Sequence, residues 1–398
     1  MIQLPPLGLY IHIPWCVKKC PYCDFNSHEH HSSDLPEKNY LNALLDDLDN
    51  ELSLLDEQRV IHSVFIGGGT PSLLSGEFYI QLFSALNQRL NFAGHAEITI
   101  EANPGAVDEA NFKGFIDAGI NRLSLGAQSF SDAALMRLGR IHDKRSIYHA
   151  FDTARQCGFD NINIDLMHGL PEQSLAEGLD DLQAAFDLSA EHISWYQLTI
   201  EKNTVFYNRP PTLPVENILD NLFMTGLDAL AAANYQQYEV SAFAKGSLQA
   251  TNDLYAADDL HAASANQSRH NKNYWQFGDY IGIGAGAHGK ISSCNGSVVR
   301  RWKTRAPSDY LSTKNKVAGS TVITQEDLPI EFMMNALRLN QGFSAQLFEQ
   351  HTGLDFSIVH NSITQLQAQG LMEERGKYYK TTKKGRLFLN DVIAHFSE

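Results

Sequence analysis

Cysteine is scarce in this chain. There are five in 398 residues, too few for the disulfide framework of a secreted scaffold. Long apolar runs are missing as well, and no stretch approaches the length that crosses a bilayer. The N-terminus, Met1 to Pro6, lacks a basic region followed by a long apolar core, so no secretion signal is expected. Basic residues are in deficit: 31 Lys and Arg stand against 46 Asp and Glu, for a net charge of −15. That balance argues against a general nucleic-acid binder, whose affinity rests on neutralising phosphates. Internal repeats and low-complexity tracts are also lacking. These absences predict a cytoplasmic protein with reduced thiols and no transmembrane segment. Contact with a membrane surface is left open.

What is present is an apolar content of 43%, enough for packed cores, and a length that admits a large domain with a smaller second one. Through the first 240 residues short β-rich runs alternate with helical patterns. The strands are expected at Leu9–Ile13, Val60–Ile66, Glu97–Glu101, Arg122–Leu125, Asn161–Leu166 and His192–Leu198. The helices are expected at Glu37–Leu55, Gly76–Leu90, Asp108–Asp117, Ser131–Leu138, Lys144–Cys157, Ser174–Leu188 and Val215–Ala233. Six such units in series imply parallel strands with right-handed crossovers, closing into an α/β partial (β/α)6 barrel. In such folds the reactive residues gather at the C-terminal ends of the strands. Residues 241–325 read as a connecting and elaborating segment. It carries His270-Asn271-Lys272-Asn273-Tyr274-Trp275 and a glycine-rich stretch, Asp279–Gly289, expected to be a tight backbone segment beside the barrel opening. Residues 326–398 read as a mostly helical, winged-helix-like domain with a hairpin at Leu371–Thr381. Its basic cluster, Lys377, Lys380, Lys383, Lys384 and Arg386, would suit a DNA-binding wing; the acidic chain favours a solvated face on a covering domain.

Cys16, Cys20 and Cys23 follow the first strand with C-x3-C-x2-C spacing. Three thiolates so close can hold three irons of a [4Fe–4S] cluster, leaving the fourth open to chemistry. Two other readings exist. A zinc ion would want a fourth ligand, for which His12, His28, His30 and His31 are near. A redox dithiol could use Cys20 and Cys23, but would leave Cys16 unexplained. Cys157 and Cys294 are isolated, and each reads as a small buried residue. At the other strand ends stand Gly67-Gly68-Gly69-Thr70-Pro71, Glu101, Gln128 and Asp165. Glu101 suits an ammonium group, Arg140 a carboxylate, and Gln128 and Asp165 hydroxyl groups.

Tyr10-x-His12-Ile13-Pro14-x-Cys16-x3-Cys20-x-Tyr22-Cys23 resembles the signature of radical S-adenosylmethionine (SAM) proteins. With Gly67–Pro71, Gln128-Ser129-Phe130, Gly139-Arg140 and Asn163-x-Asp165-Leu166-x2-Gly169-Leu170-Pro171, it resembles the oxygen-independent coproporphyrinogen oxidase group. The resemblance implies a cluster held by Cys16, Cys20 and Cys23. It implies SAM held by Tyr10, Tyr22, Gly68, Gly69, Thr70, Glu101, Gln128, Arg140 and Asp165. Two departures separate the chain from the oxidase. Phe25 stands where the oxidase has a further cysteine, and the first strand begins directly after Pro5-Pro6, where the oxidase has an arm. Both departures, and the His270–Trp275 motif, are similar to the haem-chaperone branch (HemW type). That resemblance implies haem as a ligand, contacted by His270, and client haemoproteins as partners. The alternative is an oxidase, or another radical SAM oxidoreductase acting on a tetrapyrrole.

Overall fold

The computed structural model describes residues 3–30, 35–246 and 266–397; His31 lies outside them. All six expected strands form. They are β1 (Leu7–Ile13), β2 (Val60–Gly68), β3 (Asn91–Ala102), β4 (Arg122–Gln128), β5 (Ile162–His168) and β6 (His192–Gln197). Each pairs in parallel with the next. The helices between them start on side-chain caps where the sequence supplies one. Ser75, Asp108, Ser131, Asp143 and Ser174 each accept a backbone N–H three residues on, satisfying a donor the helix leaves free.

The sheet is wider than the sequence suggested. Six further strands extend it: β7 (Tyr235–Glu239), β8 (Ala242–Lys245), β9 (Asp279–Ile283), β10 (His288–Ser292), β11 (Val298–Lys303) and β12 (Val317–Ile323). The order is β12-β11-β10-β9-β1-β2-β3-β4-β5-β6-β8-β7. β9 runs parallel to β1, so the parallel set has seven members. The glycine-rich stretch is therefore a barrel strand and its turn, where the sequence reading expected a tight backbone segment beside the barrel opening. Its glycines serve close packing: at Gly284, φ is +103°, and a Cβ would meet the His12 carbonyl. The sheet thus continues past residue 240. Ile281, Ile283, Ile291 and Tyr310 join the main core.

Alternation along the strands separates two environments. Leu9, Ile11, Val64, Ile66, Ile100, Leu123, Leu125, Ile164 and Ile193 belong to the main core, built with the flanking helices. The other face of the same strands lines a lumen, and it is polar. Strand register aligns Gly8 with Ser63, Ser63 with Glu97, Thr99 with Arg122 and Glu101 with Ser124. Ser124 aligns with Asn163, Asn163 with His192 and Asp165 with Ser194.

A second core forms around Phe332, Phe343, Phe348, Val359, Ile363 and Leu366. It holds helices Leu328–Ala336, Ala345–Thr352 and Ser357–Ala368 and a three-stranded sheet that includes the hairpin Met372–Arg375 and Tyr378–Thr381. Two short helices, Lys383–Leu387 and Leu389–Ala394, follow the hairpin. This unit docks on β7, where the Asn340 N–H donates to the Tyr238 carbonyl at 2.9 Å.

Candidate functional site

The three cysteines lie on the loop after β1. All three are free thiols, and all three line one cavity of about 530 Å³. Each sulfur has a polar neighbour. Thr70 Oγ1 donates to Cys16 Sγ at 3.3 Å. Arg140 Nη1 donates to Cys20 Sγ at 3.6 Å. Cys23 Sγ and Ser27 Oγ are 3.8 Å apart. Burial pushes the Cys16 and Cys23 thiols above their ordinary pKa, so metal binding there releases protons. Among the described residues no three Cys, His, Asp or Glu side chains converge on a single ion. His30 lies edge-on to Trp15 with its Nε2 buried and unpartnered; two other nearby histidines have partners. His12 donates Nε2–H to the Asn26 carbonyl at 2.9 Å and pairs with Tyr10 Oη through Nδ1; burial lowers its pKa to about 4. His28 pairs with the Asn26 side chain.

Beyond the cysteines the cavity is walled by Tyr22, Gly68, Gly69, Thr70, Glu101, Gln128, Arg140 and Asp165. These are eight of the nine positions expected to meet SAM. The ninth, Tyr10, is not in the wall; it stacks on Phe65 and supports His12. Glu101 Oε2 accepts the Gly68 N–H at 3.1 Å. Burial, then the nearby Asp165, raises the Glu101 carboxyl to about 8. Asp165 accepts from Ser124 Oγ at 2.9 Å and Asn163 Nδ2 at 2.8 Å; burial raises its pKa too. Gln128 follows a register shift in β4 and sits at φ 69°, a conformation that non-glycine residues hold only under constraint. Its Oε1 accepts from Tyr196 Oη at 2.8 Å. Arg140 gives Nη2 to the Gly126 carbonyl at 2.8 Å, while its buried Nε has no partner. Thr99 Oγ1 is likewise buried, on the cavity and unpartnered. Two carboxyl groups and a guanidinium with an unused donor in one cavity wall fit a ligand with both an ammonium and a carboxylate. The glycine run has a different first cause. A Cβ on Gly68 would meet the His12 ring, and one on Gly69 the Trp15 carbonyl.

The sequence did not point to Ser124, His192, Tyr196, Glu239 or Arg338, yet all line the cavity, as does Trp275 of the His270–Trp275 motif. For the strand residues the signal was inward parity. Arg338 comes from the C-terminal unit and lies 4.4 Å over the Trp275 ring. Helix Arg269–Trp275 closes the floor of the lumen. Glu97 receives its first donors: Ser268 Oγ at 3.3 Å, Arg269 N at 3.0 Å and His270 N at 3.1 Å. His270 itself is 4% exposed. Its Nδ1 pairs with Ser63 Oγ at 3.1 Å, and its ring stacks on Phe65. It does not belong to the cavity wall, unlike its neighbours Asn271 and Trp275.

The parallel barrel with three free thiols over a polar lumen defines a radical SAM-type protein. Residues 10–185 match the Radical SAM superfamily model, and residues 323–388 match the HemN C-terminal domain. Superfamily membership implies a [4Fe–4S] cluster and SAM. The chain is similar along its whole length to proteins named heme chaperone HemW. It is 46% identical to that of Haemophilus influenzae and 45% to that of Escherichia coli, covering 100% of this chain and 99% of each relative. It is 33% identical to that of Bacillus subtilis over 97% of this chain and 98% of that one. The chain belongs to the HemW family. Among solved structures it resembles the coproporphyrinogen III oxidase HemN from Escherichia coli, with TM-score 0.78 and 22% identity over 99% of this chain and 90% of that one. That likeness speaks for the fold.

Proposed function

We propose that this protein is a cytoplasmic haem chaperone: it binds haem, one [4Fe–4S] cluster and SAM, and hands haem to client haemoproteins. The observation that carries the reading is the full-length likeness to proteins named heme chaperones. Phe25 at the position of the oxidase's further cysteine supports the same branch.

In this reading Cys16, Cys20 and Cys23 would hold the cluster, with Thr70 donating to the Cys16 sulfur and Arg140 to the Cys20 sulfur. Such outer hydrogen bonds tune potential and ligand basicity. The cluster supplies an electron and an open iron when bound. Glu101 orients the SAM ammonium, the free Nε edge of Arg140 its carboxylate, and Gln128 and Asp165 the ribose hydroxyls. Gly68, Gly69, Thr70 and Tyr22 shape the wall, and Tyr10 acts through His12. His270 is the candidate haem ligand. Burial holds it neutral, at about 4, as iron ligation needs, but its place on the floor means that haem reaches it only if helix Arg269–Trp275 moves.

The test is haem titration of the anaerobic protein followed by transfer to an apo-haemoprotein. Stoichiometric binding and transfer are expected. Formation of protoporphyrinogen from coproporphyrinogen III, SAM and a reductant would replace the reading with the oxidase.

A further inference from the structure

Phe25 has no task in the site described so far, and its setting is unusual. It is 59% exposed on a loop that is held from several sides. Lys19 Nζ donates to the Phe25 carbonyl at 2.9 Å and to that of Ser27 at 3.3 Å. The Ser27 N–H donates to the Phe25 carbonyl at 2.7 Å. Asn26 sends Nδ2 to the carbonyls of Ala285 and Arg305, both at 2.9 Å, and its own carbonyl accepts from His12. The backbone is thus fixed while the ring stays open to solvent. Burial of such a ring is favourable, and most of that burial is unrealised here.

The ring lies at the mouth of the cavity, and so does Lys18. Lys18 is exposed; no ion pair is formed by it among the described residues. Val17 beside it is 43% exposed, and Arg305 Nε reaches the Asn26 side chain at 3.4 Å. Asp24, the exposed carboxylate on this loop, is not part of the mouth. The mouth therefore offers a flat apolar face with an exposed cation, while the lumen behind it is polar, walled by Glu101, Asp165 and Glu239 together with Arg122, Arg140 and Arg338. An apolar macrocycle that carries carboxylates fits the first surface, where its ring meets an apolar face and is not buried against polar groups.

We propose that haem is received at this mouth, its macrocycle on the Phe25 ring and a propionate on Lys18. The inference rests on the haem-chaperone reading and adds a contact site separate from His270. The test uses the full-length protein, reconstituted without air and titrated with haemin by absorbance. Phe25→Ala weakens binding roughly tenfold, a change of about 1.4 kcal/mol, and Phe25→Trp restores it with quenching of the new indole's fluorescence. Lys18→Glu weakens binding severalfold, and the loss shrinks at high salt. Wild-type affinity in both Phe25→Ala and Lys18→Glu overturns the site while the chaperone reading stands, and loss of binding in His270→Ala alone moves the haem to the floor. A wild-type protein that binds no haem removes both the site and the reading beneath it.

Discussion

Arg140 Nη1 stands 3.6 Å from Cys20 Sγ, and the same guanidinium keeps a buried Nε without a partner in the cavity. One side chain therefore touches Cys20, proposed above as a cluster ligand, and lines the cavity proposed to hold the SAM carboxylate. Removing the cation from the sulfur disfavours the reduced, more negative cluster. Arg140→Gln should retain iron, lower the cluster potential by on the order of 60 mV, a tenfold change for one electron, and weaken SAM binding about 10- to 100-fold, as loss of a charged hydrogen bond implies. Redox titration and equilibrium dialysis measure the two effects. An unchanged potential would separate Arg140 from the cluster.

Glu101 gives a pH dependence with a defined sign. Its carboxyl lies at about 8 in the ligand-free cavity, raised by burial and then by Asp165. A ligand ammonium needs the ionised form, so SAM affinity falls as pH drops below about 8, approaching tenfold per unit, and Glu101→Gln flattens the profile. Stability moves the other way. The native state holds this proton while the unfolded chain has lost it, so the ligand-free protein is destabilised as pH rises from about 4.5 through 8. Calorimetry across that window checks the sign; a profile shared by Glu101→Gln would assign the effect elsewhere.

Gly284 tests the seventh parallel strand. At φ +103°, with the His12 carbonyl where a Cβ would sit, Gly284→Ala should cost about 2–4 kcal/mol. A lowered denaturation midpoint with an unchanged slope is expected. A neutral substitution would mean that β9 does not close on β1 as described.

The barrel was largely legible in the sequence. Runs such as Val60–Ile66 and Asn161–Leu166 are apolar on the helix-facing side and bounded by amphipathic helices. β9 was not, because Asp279 and Gly282 interrupt its apolar run and the contacts that fix its end, Gly284 N–H to Asp47 and Tyr310 and Ala285 N–H to Tyr40, come from residues just beyond it. β11 and β12 were missed for a different reason: Arg300, Arg301 and Ser320 leave no clear apolar alternation. Within the site, residues at strand ends were readable. Ser124 and His192 were not, since a polar lumen makes the inward face look like a solvent face. Arg338 reaches the cavity from another unit, and nothing local announces that. His270 was legible as a motif, but its burial against Ser63 was not.

The cysteine assignment has a direct check by substitution. Cys16→Ala, Cys20→Ala and Cys23→Ala should each lose the visible absorbance of the cluster after anaerobic reconstitution, and iron should fall to background. Cys157→Ala and Cys294→Ala should keep both. Full iron in any of the first three would exclude that residue as a ligand.

The most direct measurement is electron paramagnetic resonance of the anaerobically prepared, reduced protein before and after addition of SAM, with metal analysis on the same sample. Iron matching one cubane per chain and a signal that shifts on SAM binding are expected, because one iron lacks a protein ligand. Zinc in place of iron, or a signal that SAM leaves unchanged, would contradict the three-thiolate cluster and the SAM cavity built around it.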